Sequence, residues 1–360
     1  MKRWTLGHSM RSEAWRNQRA VIATVLLITA GSFSVVCVGC AKPAEKEVVV
    51  YTTVDKESSA PIFSAFHRKA GGEIQPTIKS DRSMNQAGDL VDQIIAEQAQ
   101  PIADVFWNGE ILQTIRLQKL GLLQPHSWNV TSGYPNDMQA KDGTWCGFAA
   151  RARVLLVNTN ALPDPRGYPQ SVDELADPKW SQNCGIARPL VGTSSTHAAV
   201  IRELKGEEAA LQWFTTVAEN AVVYPTNQSV AIAVATGKVA WGVTDSDFAI
   251  TERDDDRPVA IVFPDQATDA PGTLRIPNTI AILKGAPHPV AAAVLVDYLV
   301  TPQTEDRLAM GSGAQLPLSR LAEHRPRVLP EGPVRWMRVD FESAAGHWES
   351  FAPELSKLFP

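Results

Sequence analysis

The sequence predicts an α/β protein in which two successive sets of strands and helices build two lobes. Three observations carry that expectation. Short β-branched runs, typical of strands buried on both faces of a parallel sheet, recur along the chain. Amphipathic stretches with apolar residues at helical spacing lie between them. The 360 residues also exceed one ordinary domain, at roughly 100–200 residues each.

In order, Val48-Val-Val-Tyr-Thr-Thr opens the first set as a strand. Residues 60–69 show helical spacing, and 74–78 reads as a strand despite Pro76. Residues 87–98 form an amphipathic pattern with Leu90, Val91, Ile94 and Ile95 on one side. Ala103-Asp-Val-Phe-Trp is the next strand, and a helix over 111–119 stops at Gly121. The second set starts with strands at 153–158 and 186–188, then helices over 196–204 and 207–219. Strand 222–224, helix 230–236 and strand 239–243 follow. Strands at 259–263 and 274–283, helices over 289–300 and 304–309, and a helical tail over 336–358 complete the chain. Such alternation implies βαβ units around mainly parallel sheets. The charged run 252–257 reads as a solvated loop.

Ahead of the first strand, arginines 11, 16 and 19 precede a stretch without charge from Ala20 to Gly39. A basic start, an apolar middle and small residues before a cysteine make an export signal. Val38-Gly39-Cys40 resembles a bacterial lipobox, which makes Cys40 the lipidated first residue of the mature chain. Residues 1–39 are then a lipoprotein signal peptide and 40–47 a tether. An uncleaved anchor is the competing reading, since about 20 uncharged residues can span a bilayer. Either reading places the protein outside the cytoplasmic membrane, in the periplasm or on the extracellular side.

The whole chain carries 34 basic and 39 acidic residues; the signal holds five and one of these, leaving 29 against 38, or −9. A nucleic-acid surface needs a basic stripe, so that class is excluded. Contact with membrane is expected through the lipid alone, and the chain is expected to be a monomer. Cys146 and Cys184 remain as an even pair in an oxidising compartment, forming either a disulfide or two buried thiols.

Ligands of open α/β sheets sit beyond the carboxyl ends of the strands. Polar residues follow five of the predicted strands: Asp55 to Ser58, Lys79 to Ser83, Asn108-Gly-Glu110, Gly192-Thr-Ser-Ser-Thr196 and Thr244-Asp-Ser-Asp247. Each taken singly could be a helix cap; together they suggest a cleft lined from two sides.

Several stretches resemble the extracellular solute-binding proteins of ABC importers, in the branch of the ferric-ion-binding proteins. They are Val48-Val-Val-Tyr-Thr-Thr-Val-Asp-Lys-Glu, Ala103-Asp-Val-Phe-Trp-Asn-Gly-Glu, Trp145-Cys-Gly-Phe-Ala-Ala-Arg-Ala-Arg-Val-Leu and Gly242-Val-Thr-Asp-Ser-Asp. Ile276-Pro-Asn-Thr-Ile-Ala-Ile-Leu-Lys-Gly-Ala-Pro-His-Pro and Gly313-Ala-Gln-Leu-Pro-Leu complete the set. The resemblance implies a type II periplasmic-binding-protein fold: lobe I over 48–148, lobe II over 149–272, and a return to lobe I with a helical tail over 273–360. The two crossovers would fall near 148–155 and 270–280, with the ligand at the hinge. It also implies an ABC permease and its ATPase subunits as partners.

Ferric relatives typically use adjacent tyrosines, a histidine and a glutamate. Here the tyrosine-pair position falls on Asp247 and Phe248, the histidine position on Asp55, and the glutamate position on Gly109 beside Glu110. Asp55, Glu110, Asp245 and Asp247 remain as candidate oxygen ligands for a hard cation. A small synergistic anion would sit at residues 192–196, where Thr193, Ser194 and Ser195 open a helix. Arg151 and Arg153 share one strand face and could pair with it. Asn108, Gln228, Thr244 and Ser246 add polar contacts, and Trp107 and Trp241 are more simply core residues than cleft walls.

The expected function is capture of a small solute, ferric iron or a ferric–anion complex first, for delivery to a permease. A phosphonate, polyamine or thiamine is the alternative cargo. An exported enzyme is the competing class, but no Gly-x-Ser-x-Gly, His-Glu-x-x-His or phosphate-loop motif occurs. Ser195 and His197 are too close on a helix start to face each other.

Overall fold

The structure, a computed structural model, describes residues 46–80, 89–128 and 133–360. The export signal, Cys40 and most of the tether lie outside these residues, as do Asp81, Arg82 and Ser83. Among the described residues no helix is long and apolar enough to cross a membrane.

Lobe I is built on β1 (Glu47–Thr52), which pairs in parallel with β2 (Gln75–Ser80) and β3 (Val105–Asn108). Helices α1 (Lys56–Lys69) and α2 (Asp89–Ala96) make the crossovers, and α3 (Leu112–Lys119) follows β3. The short β4 (Leu123–Gln124) precedes the longest strand, β5 (Cys146–Asn158). In lobe II, β6 (Cys184–Ala187) is followed by α4 (Gly192–Lys205) and α5 (Glu207–Asn220). It pairs in parallel with β7 (Val222–Tyr224) and β8 (Trp241–Asp245). Helix α6 (Asn227–Ala235) precedes β8, and α7 (Ser246–Asp254) leads to β9 (Val259–Val262). The chain returns on β10 (Arg275–Leu283), then α8 (Pro289–Leu299) and α9 (Pro302–Met310).

The outer strands are parallel, as βαβ units require, but those nearest the join are antiparallel. β10 runs antiparallel to β3, β4 and β5. β5 itself belongs to both lobes: residues 146–152 pair with β10, and 153–158 pair with β8 and β9. All of β5 is buried. The sequence signals only its second half, because Gly147, Ala149, Ala150 and Ala152 lack the β-branched character of a strand. The register slips opposite Pro277 and Asn278, where Ala149 takes a positive φ of 39°.

Glu305 on α9 fixes this bend. It is fully buried and accepts hydrogen bonds from the backbone N–H groups of Ala149 at 2.6 Å, Leu318 at 2.9 Å and Ser319 at 2.8 Å. Burial raises its carboxyl above the usual range, and the three donors oppose that rise.

The helical tail begins at residue 341 instead of 336 and consists of α10 (Phe341–Gly346) and α11 (Trp348–Leu358). α10 packs against α3 and α4. Phe351, Leu355 and Phe359 enter the second core beside Phe214; each large side chain so buried contributes roughly 1.5–3 kcal/mol. Residues 252–254, read from sequence as loop, form the last turn of α7.

Of the two readings of Cys146 and Cys184, the structure has the buried thiols, not the disulfide. Both are free, buried thiols, Cys146 in the first hydrophobic core and Cys184 in the second. Burial pushes Cys184 up to about 12 and raises Cys146 as well, so neither is a ready thiolate.

Candidate functional site

A cleft of about 530 Å³ opens between the lobes. Lobe I contributes the turn and first residues of α1, Gly109 and Glu110, and Ser312-Gly313. Lobe II contributes the starts of α4, α6 and α7. Arg151 of the shared strand lies on its wall.

Strand register explains the charged floor. β5 and β8 pair antiparallel with Arg153 opposite Asp245. Asp247, two residues on in the first turn of α7, meets Arg151, two residues back on β5. The spacing Arg-x-Arg therefore meets Asp-x-Asp, and two ion pairs form. Arg153 Nη1 lies 2.7 Å from Asp245 Oδ1, and Arg151 Nε lies 2.5 Å from Asp247 Oδ2.

The inner pair is buried, with Asp245 reaching the cleft wall and Arg153 behind it. Arg153 Nη1 also donates to Asn227 Oδ1 at 2.9 Å, and its Nε meets His197 Nδ1 at 3.3 Å. Asp245 Oδ2 accepts from Thr193 Oγ1 at 2.5 Å and Asn227 Nδ2 at 3.2 Å. Burial, reinforced by the Arg153 charge, holds His197 well below its ordinary pKa, hence neutral. That fits a packed helical residue, not a base.

The outer pair ties the lobes together. Arg151 Nη1 donates to Gly109 O at 2.7 Å in lobe I and to Asn278 Oδ1 at 3.0 Å, while Asp247 belongs to α7 in lobe II. Burial raises Asp247 to about 6, against the pull of the Arg151 charge and with help from Asp245 and Asp55. For Arg151 burial acts downward, but the charges of Asp247 and Asp245 outweigh it and hold the guanidinium above its ordinary pKa. Gly313 packs so close that a Cβ there would lie 3.0 Å from Asp247 Cβ.

The other predicted residues divide. Asp55, Glu110, Thr193, Ser194 and Gln228 line the cleft with Arg151, Asp245 and Asp247. Asn108, Arg153, Ser195, Thr244 and Ser246 lie behind it. Asn108 joins Thr53 at 2.8 Å to Glu110 at 2.8 Å. Ser195 Oγ donates to Gly192 O, Thr244 Oγ1 to Asn227 O, and Ser246 Oγ accepts from Ala152 N. Trp107 and Trp241 are fully buried core residues.

The four acids expected to hold a metal do not converge: among the described residues no three His, Cys, Asp or Glu side chains form a metal-holding group. The reason is that each already has protein partners. Asp55 caps α1 by accepting from Ser58 N at 2.6 Å. Glu110 accepts from Leu112 N at 2.5 Å, Gln113 N at 2.9 Å and, across the lobes, Thr196 Oγ1 at 2.7 Å. Burial raises the Glu110 carboxyl, and those hydrogen bonds oppose the rise. Asp245 and Asp247 face the arginines.

Sequence reasoning missed Asn227, which links both halves of the inner network, and the Ser312-Gly313 turn. Asn227 follows Thr226, whose capping box with Ser229 opens α6; that cap signal was the clue to a helix start at the cleft.

The family model for bacterial extracellular solute-binding proteins matches residues 94–343. The chain belongs to that family. Among relatives, the major ferric iron-binding protein of Neisseria meningitidis is 31% identical over 202 residues, 55% of this chain and 58% of the relative. The alignment thus spans less than two thirds of that protein. Iron uptake protein A1 of Synechocystis is 24% identical over 304 residues, 81% of each chain. The solved structure of iron-bound HitA from Pseudomonas aeruginosa superposes with a TM-score of 0.76 at 25% identity, covering 87% of this chain and 99% of HitA. The fold is accordingly the two-lobed type II periplasmic-binding-protein architecture.

Proposed function

We propose that this solute-binding protein is the capture component of an ABC importer for ferric iron, taken as the ion or as a ferric–anion complex. The observation that carries the reading is the cleft itself. Oxygen-bearing side chains from both lobes face one space across a strand that the lobes share. The ferric iron-binding and iron uptake names of the relatives favour iron as the cargo over phosphonate, polyamine or thiamine.

Such a cleft works by shifting populations. Cargo that bridges both walls gains contacts only when the lobes are closed, so it favours the closed state. The permease and its ATPase subunits would read that state. Lobe limits of 48–148 and 149–272, with the return over 273–360, complete the proposal. Export to the periplasm and a lipid on Cys40 would keep the protein beside its permease. Membership of a binding family supports a non-enzymatic role.

A thermal-shift screen of residues 41–360 tests the cargo. Ferric iron with citrate, carbonate or phosphate is expected to raise the melting temperature, since binding to the native state stabilises it by mass action. A shift with phosphonates, polyamines or thiamine and none with any ferric form would overturn iron. Loss of lipid labelling in Cys40→Ala is expected if Cys40 is the acylation site.

A further inference from the structure

The chain after α9 does not stay in lobe I. Residues 335–337 run beside the segment that carries the chain from β9 to β10. Thr273 N donates to Arg335 O at 2.9 Å, and Met337 N donates to Thr273 O at 3.0 Å. The approach is close: a Cβ on Gly272 would stand 2.8 Å from Arg335 O. Arg275 pairs opposite Ala152, so its side chain leaves the sheet on the face away from Arg151 and Arg153. There its guanidinium lies 5.2 Å from the centre of the Trp336 ring, a cation–π contact. This strap therefore crosses the join on the face opposite the cleft floor.

The helices that follow bind both lobes. α10 packs on α3 of lobe I and on α4 of lobe II. Ser343 Oγ donates to Glu203 Oε1 of α4 at 2.7 Å. On the other side Glu349, at the start of α11, pairs with Arg116 of α3 at 3.5 Å. α11 is then anchored in lobe II by Phe351, Leu355 and Phe359 in the second core, and Arg188 Nε donates to Phe359 O at 3.0 Å. Trp348, between the two helices, borders both cores. The same two helices of the lobes also meet directly, where Thr196 Oγ1 of α4 donates to Glu110 Oε2 just ahead of α3.

We infer that the C-terminal tail is a brace across the lobes, which holds α3 to α4 and favours the closed arrangement before cargo arrives. An arrangement that parts α3 from α4 strips α10 from one of them, and a state that loses contacts loses population. This rests on the reading that cargo is held by closure of the lobes, and it adds what sets their balance in the empty protein. Phe341, Ser343, Glu349 and Arg116 do not line the cleft. The brace therefore acts on affinity through the fraction of molecules ready to bind, since apparent affinity scales with that fraction.

Pulsed electron-spin distance measurements on the exported protein test this. Spin labels on Arg68→Cys in lobe I and Lys238→Cys in lobe II sit at exposed positions, while Cys146 and Cys184 are buried and stay unlabelled. Two variants loosen the brace: Phe341→Ala, which removes a buried anchor of α10, and Arg116→Glu, which sets like charges against Glu349 on the surface. Without cargo, both are expected to broaden the distance distribution and lengthen it by several ångströms, Phe341→Ala more. Both should bind ferric citrate severalfold more weakly, and melting curves check that they are folded. If Phe341→Ala does not fold, Arg116→Glu decides. Cargo-free distances equal to those of the native chain in the folded variants would overturn the brace. A native distance that saturating ferric citrate leaves unchanged would overturn closure on this cargo instead, and the cargo-free comparison would still judge the brace.

Discussion

Two arginine–aspartate ion pairs, whose members lie two residues apart along each segment, have different surroundings. Arg153 and Asp245 have side chains 1% and 4% exposed, and Asn227, Thr193 and His197 close around them. Arg151 and Asp247 are 7% and 9% exposed, touch both lobes, and both line the cleft. The inner pair is a satisfied network whose value is rigidity. The outer one is a contact that a ligand can share. Burial by itself does not separate the roles; which arginine stands on the cleft wall does.

The largest expected effect tests the inner pair. Asp245→Ala leaves Arg153 buried without its counter-charge and should destabilise the fold by about 3–5 kcal/mol, read as a lower urea midpoint at unchanged slope. If Asp247→Ala costs as much, the two pairs are equivalent and the contrast fails. Next, Arg151→Gln should weaken cargo binding with less loss of stability than Arg153→Gln, since only Arg151 lines the cleft; calorimetric titration with ferric citrate beside urea unfolding measures both. The reverse order would place the cargo contact on the inner pair.

A pH effect of intermediate size sharpens the picture. Burial raises Asp247 from its ordinary value of 3.8 to about 6. Between those limits the folded chain holds a proton that the unfolded chain has released, so this group's contribution to stability falls as pH rises through that window. The difference in unfolding free energy between the native chain and Asp247→Asn should therefore shrink from pH 4 to pH 6, by about 3 kcal/mol at most. A flat difference would mean that Asp247 titrates near its ordinary value. The smallest expected effect is Gly313→Ala. Its new Cβ would press on Asp247, and a few-fold loss of ligand affinity is expected with a change in stability below about 1 kcal/mol.

Much of the fold was legible because its signals are local. β1, β3 and β8 are β-branched or aromatic runs, and α5 and α8 carry helical spacing, so period alone places them. The first half of β5 was not legible, since its alanines become strand only between β10 and the chain that returns at Leu316. The site was half legible. Polar residues at strand ends did mark the cleft, but Asn108, Thr244 and Ser246 turned inward to serve the backbone. Helix caps and ligand contacts draw on the same residue types, so sequence could not sort them.

The sequence by itself determined the strand–helix order, the acidic balance and the oxygen-rich character of the strand ends, because composition and periodicity are properties of neighbours along the chain. The tertiary structure alone sets which protein partners the four candidate metal ligands take, that the two cysteines stay apart, and that one arginine of the two stands on the cleft wall. Those outcomes depend on which residue stands opposite which across β5 and β8. Register is a relation between segments about 90 residues apart, and no local pattern encodes what remains unpaired once it is set.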